Sequence, residues 1–309
     1  MVRCRSIAVM LGCALGTVLW GCEPPDRPPH LPRPLPAAFL EQLAPDSVRT
    51  VHVADGVWYR YLWTPRGPWA IHLVEVDLLL CQLGLSVTRA PEQSGKIGGH
   101  ARVSDMAVAD HGGEALVAVN GDFFTPEGTP LGPEMSSGAL RSARARPVLG
   151  WRPGGKPWIG QARIEEDTIL AVGPWRMAGD QKEGAVIGGY PELLDGGRRV
   201  GDLLVSENPA FAASRHPRTA VGVGPRGDVL WMVVVDGRQG EYSLGMTLPE
   251  LAAVFEALGA TEALNLDGGG SSVMVVRGRP LNRPSEGGER EVVNALLVRE
   301  DPAFCGDRR

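Results

Sequence analysis

Cysteine and histidine are scarce in this 309-residue chain, which has five cysteines and six histidines. They form no CxxC pair and no Cys/His cluster, and this absence disfavours a structural zinc site. The sequence also lacks a GxSxG elbow, a Walker loop and a GxGxxG motif after a first strand. These absences argue against a serine hydrolase with a nucleophile elbow, a P-loop nucleotidase and a dinucleotide-binding enzyme.

Positive charge is also in short supply. Lys and Arg number 31 against 36 Asp and Glu, and the net charge of −5 argues against nucleic acid as a partner. What the chain does have is a hydrophobic fraction of 43%, which is ample for a sizeable core, together with 41 glycines and 26 prolines. This composition favours many turns and short strands over a helical bundle.

The N-terminal residues 1–21 are predicted to be an export signal. Arg3 and Arg5 precede an apolar run over residues 7–20, which is too short for a comfortable membrane span. The following Leu-Trp-Gly-Cys sequence resembles a bacterial lipobox, so Cys22 is predicted to be lipidated as the first mature residue. The expected product is an exported lipoprotein anchored to a bacterial membrane, facing the periplasm or the cell surface. The alternative is an ordinary cleaved signal with an incidental cysteine.

The remaining chain divides by composition into three parts. Residues 22–38 are predicted to form a proline-rich linker, because seven prolines fall within residues 24–36 and favour an extended, semi-rigid spacer. A single folded domain is expected over residues 39–300, followed by a C-terminal tail over residues 301–309. Cys81 and Cys305 are then left to form one disulfide or to remain as two thiols.

Hydrophobic patterning predicts the main elements of the domain. Helical spacing predicts a helix over residues 102–111 and a second one over residues 247–259, where Thr247 and Glu250 form a capping box. Alternation and β-branched content predict strands in six segments, 48–63, 69–80, 85–89, 115–120, 168–172 and 292–298. Two further strands, RTAVGVG and DVLWMVVVD, are expected to pair around a Pro-Arg-Gly turn.

Residues 262–276, EALNLDGGGSSVMVV, are the most unusual stretch in the chain. Asn265 and Asp267 alternate with leucines, so on a strand both polar side chains share one face. Gly268, Gly269 and Gly270 allow a ligand to approach the main chain, and Ser271 and Ser272 add hydroxyls. The loop N–H groups are candidates for an anion-binding nest. The alternative is a plain glycine turn between two strands.

Polar residues also follow two other apolar runs. Asn120 and Asp122 come after ALVAV, and Asp236 comes after WMVVV. If these strand ends converge with Asp267, they supply the pair of carboxylates that glycosidic bond cleavage requires. Asp122, Asp236 and Asp267 are equally candidates to hold a hard cation, calcium or magnesium. Each of them, taken singly, is also compatible with a simple turn.

Arginines provide the remaining candidates for ligand binding. Arg218 begins a strand that is predicted to be buried, where a guanidinium can grip phosphate or carboxylate with two hydrogen bonds. A surface arginine at a strand end is the alternative. Arg141, Arg144 and Arg146 alternate with small residues and are predicted to be solvated.

Several of these blocks, taken in order, resemble the phosphodiester glycosidase domain family. The resemblance covers roughly residues 45–300, and it depends on six blocks, VAVNGDFF, HPRTAVGVG, VVVDGRQG, TLPELAAVFEALGA, LNLDGGGSSVMVV and NRPSEGGEREVVNALLV. It implies an α+β fold of strongly bent, largely antiparallel sheets with a few flanking helices. It also implies hydrolysis of the bond between a sugar's anomeric carbon and a phosphate oxygen. Bacterial members are associated with exopolysaccharides.

By position, the resemblance implies a set of site residues. Asp267 and Asp236 are the catalytic candidates, as acid/base or nucleophile, and Asp122 stands where many members have glycine or alanine. The substrate-binding candidates are Asn120, Asp122, Arg218, Asn265, Gly268, Gly269, Gly270, Ser271, Ser285 and Arg290. The predicted partner is a phosphodiester in a glycan or glycolipid.

Two other functions compete with hydrolysis. A catalytically idle surface lipoprotein would use the same pocket to bind a phosphorylated glycan. A calcium-stabilised adhesion module would use the carboxylates as metal ligands, and it would lose thermal stability in chelator.

Overall fold

A computed structural model describes residues 31–92, 99–109, 115–136, 139–141, 144–165, 168–171, 176–177, 185–201, 203 and 209–305. The predicted export signal, Cys22 and the first part of the proline-rich linker lie outside these residues. Among the helices that are described, none is long and apolar enough to cross a membrane.

The described residues form twenty strands, numbered here in chain order. They are β1 (Ser47–Ala54), β2 (Val57–Thr64), β3 (Trp69–Asp77), β4 (Leu83–Arg89), β5 (Val117–Asn120), β6 (Glu134–Ser136), β7 (Ala139–Arg141), β8 (Arg146–Trp151), β9 (Trp158–Glu165), β10 (Thr168–Ala171), β11 (Arg176–Met177), β12 (Ala185–Gly188), β13 (Glu192–Asp195), β14 (Arg198–Arg199), β15 (Arg218–Val223), β16 (Val229–Val235), β17 (Glu262–Asn265), β18 (Met274–Val276), β19 (Arg279–Pro280) and β20 (Asn294–Glu300).

These strands form three sheets in which the paired strands run antiparallel. The largest sheet has the order β1-β2-β3-β16-β15-β17-β13-β14. The second has the order β11-β10-β9-β8-β12-β6-β7, and the third has the order β19-β18-β5-β20-β4. Mostly antiparallel sheets with few helices are consistent with the α+β class expected from the resemblance.

Four α-helices flank the sheets, α1 (Ala37–Leu43), α2 (Val103–Ala109), α3 (Pro209–Ala213) and α4 (Leu248–Leu258). Helix α4 begins and ends as its sequence predicts. The Thr247 side chain accepts from the Glu250 amide, the Glu250 carboxylate accepts from the Thr247 amide, and Gly259 ends the helix with φ +81°. Helix α2 also forms within the predicted segment.

The core consists of layers separated by the largest sheet. Val74, Met232 and Val234 point from this sheet into a central core shared with the two other sheets. Their neighbours Leu73 and Val233 point to the opposite face, where α1 and α4 pack. Successive side chains of a strand point to opposite faces, so β16 carries a continuous apolar run because both of its faces are covered.

The structure refines three predictions about this domain. The predicted strand over residues 48–63 is a hairpin, because Asp55 and Gly56 form a turn, with Gly56 at φ +74°. The end of the proline-rich linker lies against the largest sheet, where the Arg33 amide donates to the Glu75 carboxylate at 3.1 Å. Cys81 and Cys305 form a disulfide, which is one of the two outcomes that the sequence allowed.

Candidate active site

The glycine-rich loop follows β17 and leads through a 3₁₀ turn, Gly269–Ser271, into β18. Gly269 has φ +62°, a left-handed conformation that favours glycine. A Cβ atom on Gly270 would lie 2.3 Å from Glu286 Oε1 and 2.4 Å from Arg290 Nη2. The glycines therefore allow both a turn that other residues resist and the close approach of two charged side chains.

The main-chain amides of this loop are largely engaged within the protein. The Gly268 amide donates to Asp267 Oδ1 at 2.8 Å, and the Gly269 amide donates to the Pro217 carbonyl at 2.9 Å. The amides of Ser271 and Ser272 donate back to carbonyls of the same turn. Most amides of the expected anion-binding nest therefore already donate to protein acceptors. Binding of an anion at this loop depends on side chains instead.

A cavity of about 320 Å³ opens beside the loop. It brings together one carboxylate, three guanidinium groups and several aromatic rings. The lining residues are Phe123, Leu131, Arg146, Tyr190, Pro191, Phe211, Arg238, Leu248, Asn265, Asp267, Gly268, Gly269, Gly270 and Arg290.

Asp267 supplies the carboxylate of the cavity. Its side chain is half-buried, and burial raises its pKa from 3.8 to about 6, against hydrogen bonds from the Ser271 hydroxyl and the Gly268 amide and the positive charge of Arg290. A carboxyl group with a pKa near 6 changes its charge close to neutral pH. Asp267 is therefore a candidate for acid–base or nucleophilic chemistry.

Two arginines contact the glycine-rich loop, one at Gly269 and the other at Ser271. Arg238 lies against Gly269 and donates to Nδ1 of His216 at 3.1 Å. Arg290 contacts the Ser271 hydroxyl at 3.4 Å and pairs with the Glu286 carboxylate. Sequence reasoning predicted Arg290 but missed Arg238, although Arg238 lies in the VVVDGRQG block that carries the family resemblance. Its φ of +58° is unusual for a residue with a Cβ atom and is typical of functional sites.

Arg146 corrects a prediction made from the sequence. It was expected to be solvated, but only 4% of it is exposed, and it lines the cavity at the start of β8. Its guanidinium carbon lies 5.0 Å from the ring centroid of Tyr190 and 5.7 Å from that of Phe123. The alternation with small residues gave no sign of this, because both ring partners come from distant parts of the chain.

The two predicted asparagines hold the loop in place. Asn120 donates from Nδ2 to the Asp267 carbonyl at 2.6 Å and accepts from the Thr219 hydroxyl and the Val273 amide. Asn265 donates to the Tyr190 carbonyl at 2.7 Å and lines the cavity. Its Oδ1 atom is buried and has no hydrogen-bond partner among the described residues.

Asp236 lies behind the cavity wall, and it is absent from the described lining residues. The residue is 1% exposed, and its carboxylate accepts from Tyr242, Asn282 and the Arg283 amide at 3.0 Å and contacts His72 Nε2 at 3.1 Å. Donors already occupy both oxygens, so this geometry favours a structural role over the predicted catalytic one.

Arg218 is also buried away from the described cavity lining. Its guanidinium donates to the carbonyls of Met246, Phe211 and Ser214 at 2.7, 2.8 and 3.0 Å. Burial and the neighbouring Arg238 lower its pKa to about 9. Its contacts to the Phe211 and Ser214 carbonyls hold the short helix that carries Phe211 into the cavity wall. Its Nη1 atom is buried and has no hydrogen-bond partner among the described residues, and the phosphate contact stays a prediction.

The remaining candidates occupy separate positions. Ser271 bonds to Asp267 as described, whereas Ser285 has a buried hydroxyl and does not belong to the described lining. Asp122 is 1% exposed, and its Oδ2 accepts from the Gly132 amide at 2.5 Å.

A metal site at the three aspartates is not formed in the described part of the chain. Asp122, Asp236 and Asp267 do not converge there as a group of metal ligands. Each also accepts hydrogen bonds from protein donors. These three residues do not fit the expected calcium or magnesium ion in the described part of the chain.

Solved structures show the same fold in other proteins. A zebrafish N-acetylglucosamine-1-phosphodiester alpha-N-acetylglucosaminidase catalytic domain, auto-inhibited by its pro-peptide, is 22% identical with a TM-score of 0.56, covering 82% of each chain. A hypothetical Synechocystis protein is 21% identical with a TM-score of 0.59, covering 82% of this chain and 63% of its own length. A Burkholderia pseudomallei protein for which export is proposed is 20% identical with a TM-score of 0.60, covering 75% of this chain and 74% of its own.

Sequence comparisons agree with the fold. An 84-residue segment, 27% of this chain, is 39% identical to the uncharacterized SPbeta prophage-derived protein YomE of Bacillus subtilis, but it spans only 13% of that protein. The family model for phosphodiester glycosidases matches residues 113–299, more than half of the chain, and this match includes the cavity. The resemblance inferred from the sequence blocks is confirmed, and the chain belongs to the phosphodiester glycosidase family.

Proposed function

We propose that this protein hydrolyses the bond between a sugar's anomeric carbon and a phosphate oxygen in a sugar-1-phosphodiester of a glycan or glycolipid. The observation that carries the proposal is that Asp267, Arg238 and Arg290 line one cavity. A carboxylate can attack the anomeric carbon or activate a water molecule beside it, and guanidinium groups can bind the phosphate. Family membership supports the same reaction.

The bond that breaks joins C1 of the sugar to the phosphate oxygen, and the electron pair leaves with the phosphate. The hydroxyl group of a water molecule takes the place of the phosphate at C1. The ionised Asp267 carboxylate acts by one of two routes. It attacks C1 as a nucleophile, or it takes the proton of the water molecule that attacks C1. The first route retains the anomeric configuration and the second inverts it, so the anomer of the released sugar distinguishes them.

Arg238 and Arg290 are assigned to the phosphate. Negative charge grows on the leaving group as the bond breaks, and fixed positive groups stabilise that charge more in the transition state than in the substrate. A phosphomonoester is a good leaving group, so electrostatic stabilisation replaces most of the need for a general acid. The catalytic role is assigned to Asp267 alone, because both oxygens of the Asp236 carboxylate already accept hydrogen bonds from protein side chains.

Export and membrane anchoring complete the proposal. Residues 1–21 have the charge and hydropathy pattern of an export signal, and Cys22 stands at the end of a lipobox-like sequence. One structural relative is a protein for which export is proposed. Metabolic labelling with a palmitate analogue is expected to mark the wild-type chain and not Cys22→Ser, and equal labelling of both would contradict anchoring at this residue.

Turnover of a sugar-1-phosphodiester by the purified chain tests the reaction. Wild type is expected to release free sugar, and Asp267→Asn is expected to lower kcat/KM by at least about 10³-fold, because the group that serves C1 is lost. Asp55→Asn is the matched control, since the Asp55 side chain is 59% exposed on a hairpin turn. Equal rates in wild type and Asp267→Asn would remove Asp267 from the mechanism. Binding without turnover would instead support the glycan-binding alternative.

A further inference from the structure

Arg238, one of the two arginines assigned to the phosphate, is held by an imidazole. Its Nη2 atom donates to Nδ1 of His216 at 3.1 Å, and its side chain lies against Gly269 at the cavity. A guanidinium has no hydrogen-bond acceptor, so Nδ1 of His216 is unprotonated and the ring proton sits on Nε2. The contact therefore requires one tautomer of a neutral histidine.

Ring and main-chain contacts fix His216 in place. Its ring stacks on that of Phe211, with the centroids 4.6 Å apart and an angle of 16° between the planes. Its main chain pairs with Met246 in both directions, at 3.2 and 2.9 Å. The carbonyl of the next residue, Pro217, accepts from the Gly269 amide at 2.9 Å. The imidazole is therefore attached both to a ring that lines the cavity and to the glycine-rich loop.

The surroundings of His216 keep its ring neutral. Burial, followed by the positive charges of Arg218 on β15 and Arg238 after β16, lowers the pKa of His216 below its ordinary value. The preceding residue, Arg215, forms an ion pair with Glu250 of α4. At neutral pH the ring therefore accepts a hydrogen bond from Arg238 and carries no charge of its own.

The other arginine assigned to the phosphate is held by an acid. Arg290 donates from Nε to Oε2 of Glu286 at 3.1 Å, and its Nη2 atom pairs with the same carboxylate, which offsets its charge. In the described part of the chain, no carboxylate forms an ion pair with Arg238. A fixed positive group stabilises an anion more strongly when no acid offsets it. Arg238 therefore keeps more of its charge for the phosphate than Arg290 does.

Accepting the proposed function, we propose that His216 is a positioning residue for the phosphate, because it holds Arg238 at the cavity without offsetting its charge. Two features of the imidazole are needed together, an acceptor atom at Nδ1 and the absence of charge. A carboxylate in the same place would hold the guanidinium but offset its charge, and an apolar ring would leave the guanidinium unheld.

Calorimetric titration of the purified full chain with inorganic phosphate tests this role, at about pH 8, where the ring is neutral. His216→Phe keeps a ring to stack on Phe211 but removes the acceptor, and it is expected to weaken phosphate binding about 3- to 10-fold, the value of one hydrogen bond. His216→Asn restores a neutral acceptor oxygen and is expected to bind within about twofold of wild type. His216→Asp supplies a charged acceptor and is expected to bind about 10-fold more weakly than His216→Asn.

A double-mutant cycle separates positioning from a general effect on the fold. In the Arg238→Met background, His216→Phe is expected to cause almost no further loss of phosphate affinity, because the side chain that it positions is absent. His52→Phe is the matched control, since the His52 ring contacts Trp58 and its side chain is 44% exposed on β1. It is expected to keep the wild-type affinity. Thermal unfolding of each variant establishes that it is folded, and the Asn and Asp variants keep the test valid if His216→Phe does not fold.

Three results would overturn the role of His216. The first is the same phosphate affinity, or none, in wild type, His216→Phe and His216→Asp. The second is an equal loss from His216→Phe with and without Arg238, which would make the histidine purely structural. The third is a loss in His216→Asn as large as in His216→Phe, which would make the acceptor irrelevant.

The proposed function fails separately, if the wild type binds phosphate with the expected order of variants but hydrolyses no sugar-1-phosphodiester. Hydrolysis by the wild type, together with phosphate affinity and turnover that are unchanged in His216→Phe, would retain the proposed function and reject the positioning role.

Discussion

Asn282 donates a hydrogen bond of 3.0 Å from Nδ2 to Oδ1 of Asp236, 46 residues earlier in the chain. The same asparagine accepts from the Met274 amide at 2.8 Å and donates to the Ser272 carbonyl at 3.1 Å. Asp236 thereby fixes the chain on the far side of the glycine-rich loop. It also stands two residues before Arg238, so one buried carboxylate supports two walls of the cavity.

Asp236→Asn is expected to destabilise the fold by about 2 to 3 kcal/mol, because an amide nitrogen replaces an oxygen that accepts from buried donors. Chemical denaturation measures the change, and Asp55→Asn is expected to stay within about 0.5 kcal/mol of wild type. A loss of activity in Asp236→Asn with unchanged stability would argue for direct catalysis instead.

Gly270→Ala is expected to raise KM several-fold with little change in thermal stability. The new methyl group would meet the flexible ends of Glu286 and Arg290, which can move, but Arg290 then leaves its place beside Ser271. Gly288→Ala is the matched control, since a Cβ atom there meets nothing within 4 Å. Equal KM values in the two variants would show that the position of Arg290 does not matter for substrate binding.

The rate is expected to fall about tenfold per pH unit on acidification below about pH 6, because Asp267 with a pKa of about 6 must be ionised to serve the anomeric carbon. Ser271→Ala removes a hydrogen bond that stabilises the ionised form, so this limb of the kcat/KM profile is expected to move to higher pH. A rate that rises on acidification would instead assign Asp267 the role of a general acid.

Reduction of the Cys81–Cys305 disulfide is expected to lower the free energy of unfolding by about 2 to 4 kcal/mol, because the bond closes a loop of 224 residues in the unfolded chain. The double variant Cys81→Ser with Cys305→Ser is expected to show the same lower stability and no response to reductant. Wild-type stability that is unaffected by reductant would contradict a disulfide in the folded protein.

Much of the local structure could be predicted from the sequence. Helix α4 forms where its capping box and apolar stripe predict it, and β15 and β16 pair around the predicted turn. These signals are local, because a capping residue or an alternating strand interacts with groups a few positions away. The polar loop after β17 was predicted for the same reason, and both Asn265 and Asp267 line the cavity.

The sequence by itself determined the glycine-rich loop and its acidic residue, which form one contiguous pattern, and it determined the family and the mixed fold that the family implies through six blocks in a fixed order. Only the tertiary structure decided which charged side chains meet at that loop. Arg146 lies at the cavity although its neighbours predicted a solvated surface, whereas Arg218 and Asp236 are buried outside the described cavity lining, with partners up to 164 residues away in the chain. Burial and hydrogen-bond partners are set by contacts between distant segments, and no periodicity in the chain encodes them.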